Sequence, residues 1–148
     1  MRVISAIAVS STLVLLALCS LVFAQPRPLP VYVVIVHPAN PAVSVERKFL
    51  EDAFLKKITR WPDDQTIRPV DLPSSSPVRR RFTEEVLERT LESVKSYWQQ
   101  RIFSGRDVPP PELDTDDDVV SYVRKHDGAV GYVSAHADVS GLKTLGIR

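Results

Sequence analysis

Cysteine is almost absent from this chain, with Cys19 the only one. A single thiol cannot close an intrachain disulfide, form a C-x-x-C redox pair or build a thiolate zinc site. Glycine is also scarce, at five residues. No G-x-G-x-x-G or G-x-x-x-x-G-K-[ST] string occurs, so there is no glycine-rich cradle for nucleotide phosphates. The G-x-S-x-G elbow of serine hydrolases is missing as well. The three histidines, His37, His126 and His136, form no H-x-x-x-H or H-x-x-E pair, and turn or solvated histidines are the simpler reading. Neither sign of charge dominates: 19 Lys and Arg face 18 Asp and Glu, a net charge of +1. That balance argues against a general nucleic-acid binder, which needs a basic excess to recruit phosphate backbones. Asp116-Asp117-Asp118 lacks the glycine and terminal glutamate of a calcium loop and reads as helix capping. These absences imply a protein that is not an enzyme and carries no cofactor or metal.

What is present begins with a long apolar run. Met1-Arg2 supplies a short positive start, Val3 to Val22 is nearly unbroken apolar sequence, and Val22-Phe23-Ala24 suits a signal peptidase. Residues 1–24 are therefore expected to be a secretory signal peptide, cleaved between Ala24 and Gln25. The run is long enough to span a bilayer. However, no basic cluster follows it, and Pro26, Pro28 and Pro30 arrive at once. Cleavage leaves no expected membrane contact. Lipoprotein processing at Cys19 is the other route, although Leu18 stands where a lipobox has glycine or alanine. Removing 24 residues from 148 leaves 124, the size of one modest domain. The expected layout is a signal peptide at 1–24, an extended leader at 25–30 and a single domain at 31–148.

Along that domain, strand and helix patterns alternate. Val31 to Val36 is a continuous β-branched run, as in a strand buried on both faces. Ser44 can cap a helix over about Val45 to Lys57, with Phe49, Leu50, Ala53 and Phe54 at core spacing. A second strand is expected near Ile67 to Leu72. Pro77 suits the first turn of a helix reaching about Glu88, and another helix from about Leu91 to Phe103 stops at Gly105. Thr115 opens a capped helix ending at Gly128. Ala129 to Val133 is a strand, and Lys143 to Ile147 a last short one. Trp61 and Trp98 read as packing anchors. The fold class is α/β, a three-layer mixed or mostly parallel sheet with flanking helices.

Specific strings then point to a family. Phe54-Leu55-Lys56-Lys57-Ile58-Thr59-Arg60-Trp61 resembles the F-x-G-K-I-T-x-W signature of phosphate ABC-transporter substrate-binding proteins. Three further segments fall in that family's order: Val36 to Pro41, Tyr97-Trp98 through Ile102 to Gly105, and Gly128 to Val133. Together they cover almost all of residues 31–135. The resemblance implies one lobe of a type 2 periplasmic binding protein, exported to the periplasm or secreted and linked to phosphate uptake. It also implies an anion loop between the second strand and the next helix. Here that stretch is Leu72 to Arg79, and Ser74, Ser75, Ser76 and Arg79 become the candidate ligands for phosphate or another small oxyanion. A helix N-terminus seats anions through its unpaired N–H groups and positive dipole end. The stretch departs from the family pattern at three places. Pro77 replaces a glycine and deletes a donor, Val78 replaces a threonine, and Leu72 stands where an arginine is expected. A serine-rich helix cap followed by the basic face Arg79-Arg80-Arg81 explains the same residues. Full members have two lobes closing on the anion, so a second copy or another envelope protein is the expected partner for the open face. An interaction module that binds no ligand is the alternative.

Overall fold

A computed structural model describes residues 31–148. The expected signal peptide, its Ala24–Gln25 cleavage point and the leader at 25–30 lie outside the described residues. The chain runs β1 (Tyr32–Val36), β2 (Ser44–Val45), α1 (Arg47–Phe54), β3 (Arg68–Pro69), α2 (Pro77–Glu85), α3 (Leu91–Phe103), α4 (Asp116–Lys125), β4 (Ala129–Ser134) and β5 (Lys143–Ile147). One five-stranded sheet has the order β2-β5-β1-β4-β3.

The sheet is mixed. β1 lies at its centre, antiparallel to both neighbours, with Val34 opposite Tyr132 of β4 and Leu145 of β5. The outer pairs, β2 with β5 and β3 with β4, are parallel. β4 shows why the sheet is covered on both faces, since successive side chains point opposite ways. Tyr132 stacks on Phe82 of α2, with ring centroids 3.9 Å apart, and meets Phe54 of α1 at 5.8 Å. Its neighbour Gly131 faces α4, where a Cβ would come within 2.7 Å of a Val119 methyl. Helices α1 and α2 thus cover one face and α4 the other, giving the three expected layers.

Two local expectations are corrected. Ser44 does not cap α1: it sits in β2, paired with Gly146, and the N-cap is Glu46, which makes no side-chain cap bond. The added strand pair shortens the helix at its start. At its other end, α1 stops at Phe54, and Lys56 adopts a left-handed φ of 51°. Lys56 occupies the position that is glycine in the family signature. The left-handed turn is made here by a lysine and not by the residue that adopts it at no steric cost. The second strand is also shorter than expected, because ladder pairing with β4 covers only Arg68 and Pro69. Thr115 caps α4 as expected, accepting from the Asp118 N–H at 3.1 Å while its hydroxyl donates to the Asp118 carboxylate.

Candidate functional site

The turn after β3 and the start of α2 bring the expected site residues together around a buried charge. Ser76 is the N-cap of α2 and its hydroxyl accepts from the Arg79 N–H at 3.3 Å. Ser74 and Ser75 are exposed on the turn. Arg79 does not project to solvent with Arg80 and Arg81. It is two residues in from Pro77, on the inner side of α2, and its side chain is only 9% exposed. A guanidinium so placed must find several acceptors, since an unpaired buried charge costs several kcal/mol.

It finds three. One terminal nitrogen donates to the Leu72 carbonyl at 2.5 Å and also contacts the Glu112 carboxylate. The other lies 3.4 Å from Asp71. The Tyr132 hydroxyl donates to Asp71 at 2.6 Å. The backbone holds this network in place. The Asp71 N–H donates to the Pro111 carbonyl and the Leu113 N–H donates to the Asp71 carbonyl, at 2.9 and 2.8 Å. Residues 111–113 therefore run beside the end of β3 as a short parallel extension, with Asp71 bridged to Glu112.

The electrostatics follow from burial. Loss of solvent pushes the Asp71 carboxyl up, while Arg79 and the Tyr132 hydroxyl act to hold it down. Burial opposes the Arg79 charge too, but Asp71 and Glu112 outweigh it and keep the guanidinium above its usual range. Burial and then Asp71 raise the Tyr132 phenol, which stays a neutral donor. Glu112 differs from the other members: its side chain is 51% exposed.

Beside this network lies an open groove of 590 Å³ between the α2 turn and α3, lined by Ser74, Arg79, Leu91, Val94, Trp98 and Glu112 among others. The α3 wall is mixed, with Leu91, Val94 and Trp98 alternating with Glu92, Lys95 and Gln99. Trp98 is part of that wall, whereas Trp61 is core and donates from its indole nitrogen to the Gly128 carbonyl at 2.9 Å. The histidines lie away from the groove's lining. His37 Nε2 is 3.2 Å from Asp127, His126 stacks on Tyr122, and His136 is exposed. Asp117 and Asp118 are exposed in the first turn of α4, and Asp116 accepts from the Ser134 N–H. Among the described residues, no group of three or more acidic, histidine or cysteine side chains is placed to hold a metal ion. No helix among them is long and apolar enough to cross a membrane.

The structure brings Ser74, Ser76 and Arg79 to one place, but it adds Asp71, Glu112 and Tyr132, which sequence reasoning did not single out. One signal was legible. Asp71 stands between Val70 and Leu72 inside an apolar segment, and a carboxylate there requires a buried partner.

Comparison with solved structures bears on the fold. The chain superposes on a protein of Clostridium perfringens assigned as a phosphate ABC-transporter substrate-binding protein and solved with bound phosphate, at a TM-score of 0.62 and 21% identity. That match covers 78% of this chain and 44% of the other. An ABC-type phosphate transport receptor from Vibrio cholerae matches at 0.60 and 21% identity, covering 78% and 45%. PstS from Borrelia burgdorferi matches at 0.62 and 13% identity, covering 80% and 47%. At such identities the likeness is one of fold, and this chain spans less than half the length of each. No curated protein matches the chain. Residues 31–145 match the family described as the PBP superfamily domain, and the chain belongs to that family.

Proposed function

We propose that this chain is an exported, non-catalytic domain that takes phosphate or a similar small oxyanion weakly at the turn from Leu72 to Arg79, in support of ABC-type phosphate uptake. The observation that carries the reading is a buried arginine at the start of α2, beside serine hydroxyls and an open groove. The described residues form one lobe, and a seat on that lobe alone leaves an anion half hydrated. Charges 4 Å apart gain only about 1 kcal/mol in bulk water and several times more in a drier site. Calorimetry with phosphate is expected to give binding in the high-micromolar to millimolar range, on the order of 4–6 kcal/mol.

Arg79→Ala is a poor probe, because it strands Asp71 in the interior. Arg79→Lys keeps the charge but loses the forked donor geometry, and should weaken binding roughly tenfold. Arg80→Ala, at an exposed position, should leave binding nearly unchanged. Equal responses at the two sites, or no heat with any phosphate concentration, would set the reading aside.

A second reading is an interaction module, with a second copy or an envelope protein covering the open face. Its support is apolar: Ile102, Phe103 and Val108 are 51%, 91% and 59% exposed at and beyond the end of α3. Absence of phosphate binding together with self-association would favour it. Both readings include the processing of residues 1–24. Expressed in a bacterial host, the chain should be recovered outside the cytoplasm with Gln25 first, by intact mass. Recovery of Met1 in a membrane pellet would overturn that step.

A further inference from the structure

We infer that Glu112 is a built-in stand-in for the ligand: its carboxylate occupies the outward side of Arg79, where an oxyanion would sit, and must swing away before one can bind. This rests on the oxyanion reading above and adds its regulation.

Three observations carry it. First, the two carboxylates on Arg79 are not equivalent. Asp71 is 10% exposed and tied to Tyr132, whereas the Glu112 side chain is 51% exposed and lines the groove. Asp71 is the fixed inner counter-ion, and Glu112 is the outer one, reached from solvent. Second, the Glu112 side chain is free to leave while its backbone is not. The hydrogen bonds at Pro111 and Leu113 hold residues 111–113 against Asp71, so a change of side-chain rotamer vacates the position without unfolding the segment. Third, the charges oppose an incoming anion while Glu112 is in place. With both carboxylates ionised the cluster carries one net negative charge, which repels an incoming anion. Once Glu112 turns away, Arg79 and Asp71 balance, and the groove side of the guanidinium is exposed to the ligand.

The residue therefore sets affinity and selects by competition: a ligand must offer Arg79 more than a carboxylate already does. A tetrahedral oxyanion with several acceptor oxygens, in a groove that Ser74 also lines, meets that condition better than a simple monoanion such as chloride.

The test is calorimetry of the full mature domain with inorganic phosphate, comparing wild type, Glu112→Gln and Glu92→Gln. Glutamine keeps the shape and the backbone bonds. Glu92 lines the same groove, whereas the acceptors of Arg79 are Asp71, Leu72 and Glu112, so Glu92 reports diffuse charge. A thermal melt verifies that each variant is folded. Glu112→Gln should tighten phosphate binding about 10- to 100-fold, the worth of releasing one hydrogen bond between charged groups, and Glu92→Gln less than twofold. Equal affinity for wild type and Glu112→Gln would overturn the stand-in role while leaving the oxyanion reading intact. Equal tightening in both variants would assign the effect to general repulsion and overturn it also. Binding by neither wild type nor Glu112→Gln would overturn both.

Discussion

Asp71→Ala is expected to cost about 3–5 kcal/mol of folding stability, the usual penalty for removing one partner of a buried ion pair. The loss exceeds that of a surface pair because the inner side of the guanidinium, which faces Asp71, cannot reach water to recover its hydration. After the substitution its guanidinium keeps the Leu72 carbonyl and the half-exposed Glu112, and the Tyr132 hydroxyl loses its acceptor. Asp71→Asn retains an oxygen for Tyr132 and should cost less. Urea denaturation of both variants measures this directly. An Asp71→Ala protein within about 1 kcal/mol of wild type would mean that Arg79 is not held by this network, because such a buried charge would otherwise be stranded.

Val34→Asp should have an equal or larger effect and prevent folding. Val34 is 2% exposed at the centre of β1, between Tyr132 on one side and Leu145 on the other. A carboxylate there has a strand on each side and no cation in register, so its burial costs several kcal/mol. That approaches the whole stability of a domain of this size, about 5–15 kcal/mol. The check is whether the variant is soluble with a cooperative thermal transition. If it is, β1 is not the buried centre of the sheet.

What could be read from sequence divides along a physical line. The run Val31–Val36 announced a buried strand because β-branched residues without polar alternation fit little else. Thr115 with Asp118, and Ser76 with Pro77, announced helix starts because capping is local chemistry between residues three apart or adjacent. Strand direction was not legible. The antiparallel setting of β1 against β4 depends on the route of the intervening chain, not on either strand's composition. β2 was missed for a related reason: two residues carry no period, and Ser44–Val45 is a strand only because β5 returns beside it.

The site divides the same way. The serines and Arg79 were visible as a local motif, since they lie within six residues of one another. Glu112 is 33 residues from Arg79, and Tyr132 is 61 from Asp71. No local pattern joins them. The candidate-ligand reading set Arg79 apart from Arg80, the helix-cap reading joined Arg79, Arg80 and Arg81 in one solvated face, and the helix turns Arg79 inward and leaves the other two exposed. An i+1 step rotates a side chain by about 100°, enough to separate a buried network from a solvated face.

The most direct measurement of the central proposal is amide shift mapping of the isotopically labelled mature domain during titration with phosphate. The account predicts saturable changes confined to the Ser74–Arg79 turn and the facing Glu112 segment, and larger changes at lower concentration in Glu112→Gln. Changes spread evenly over exposed basic residues, or no change at the turn in either protein, would contradict it.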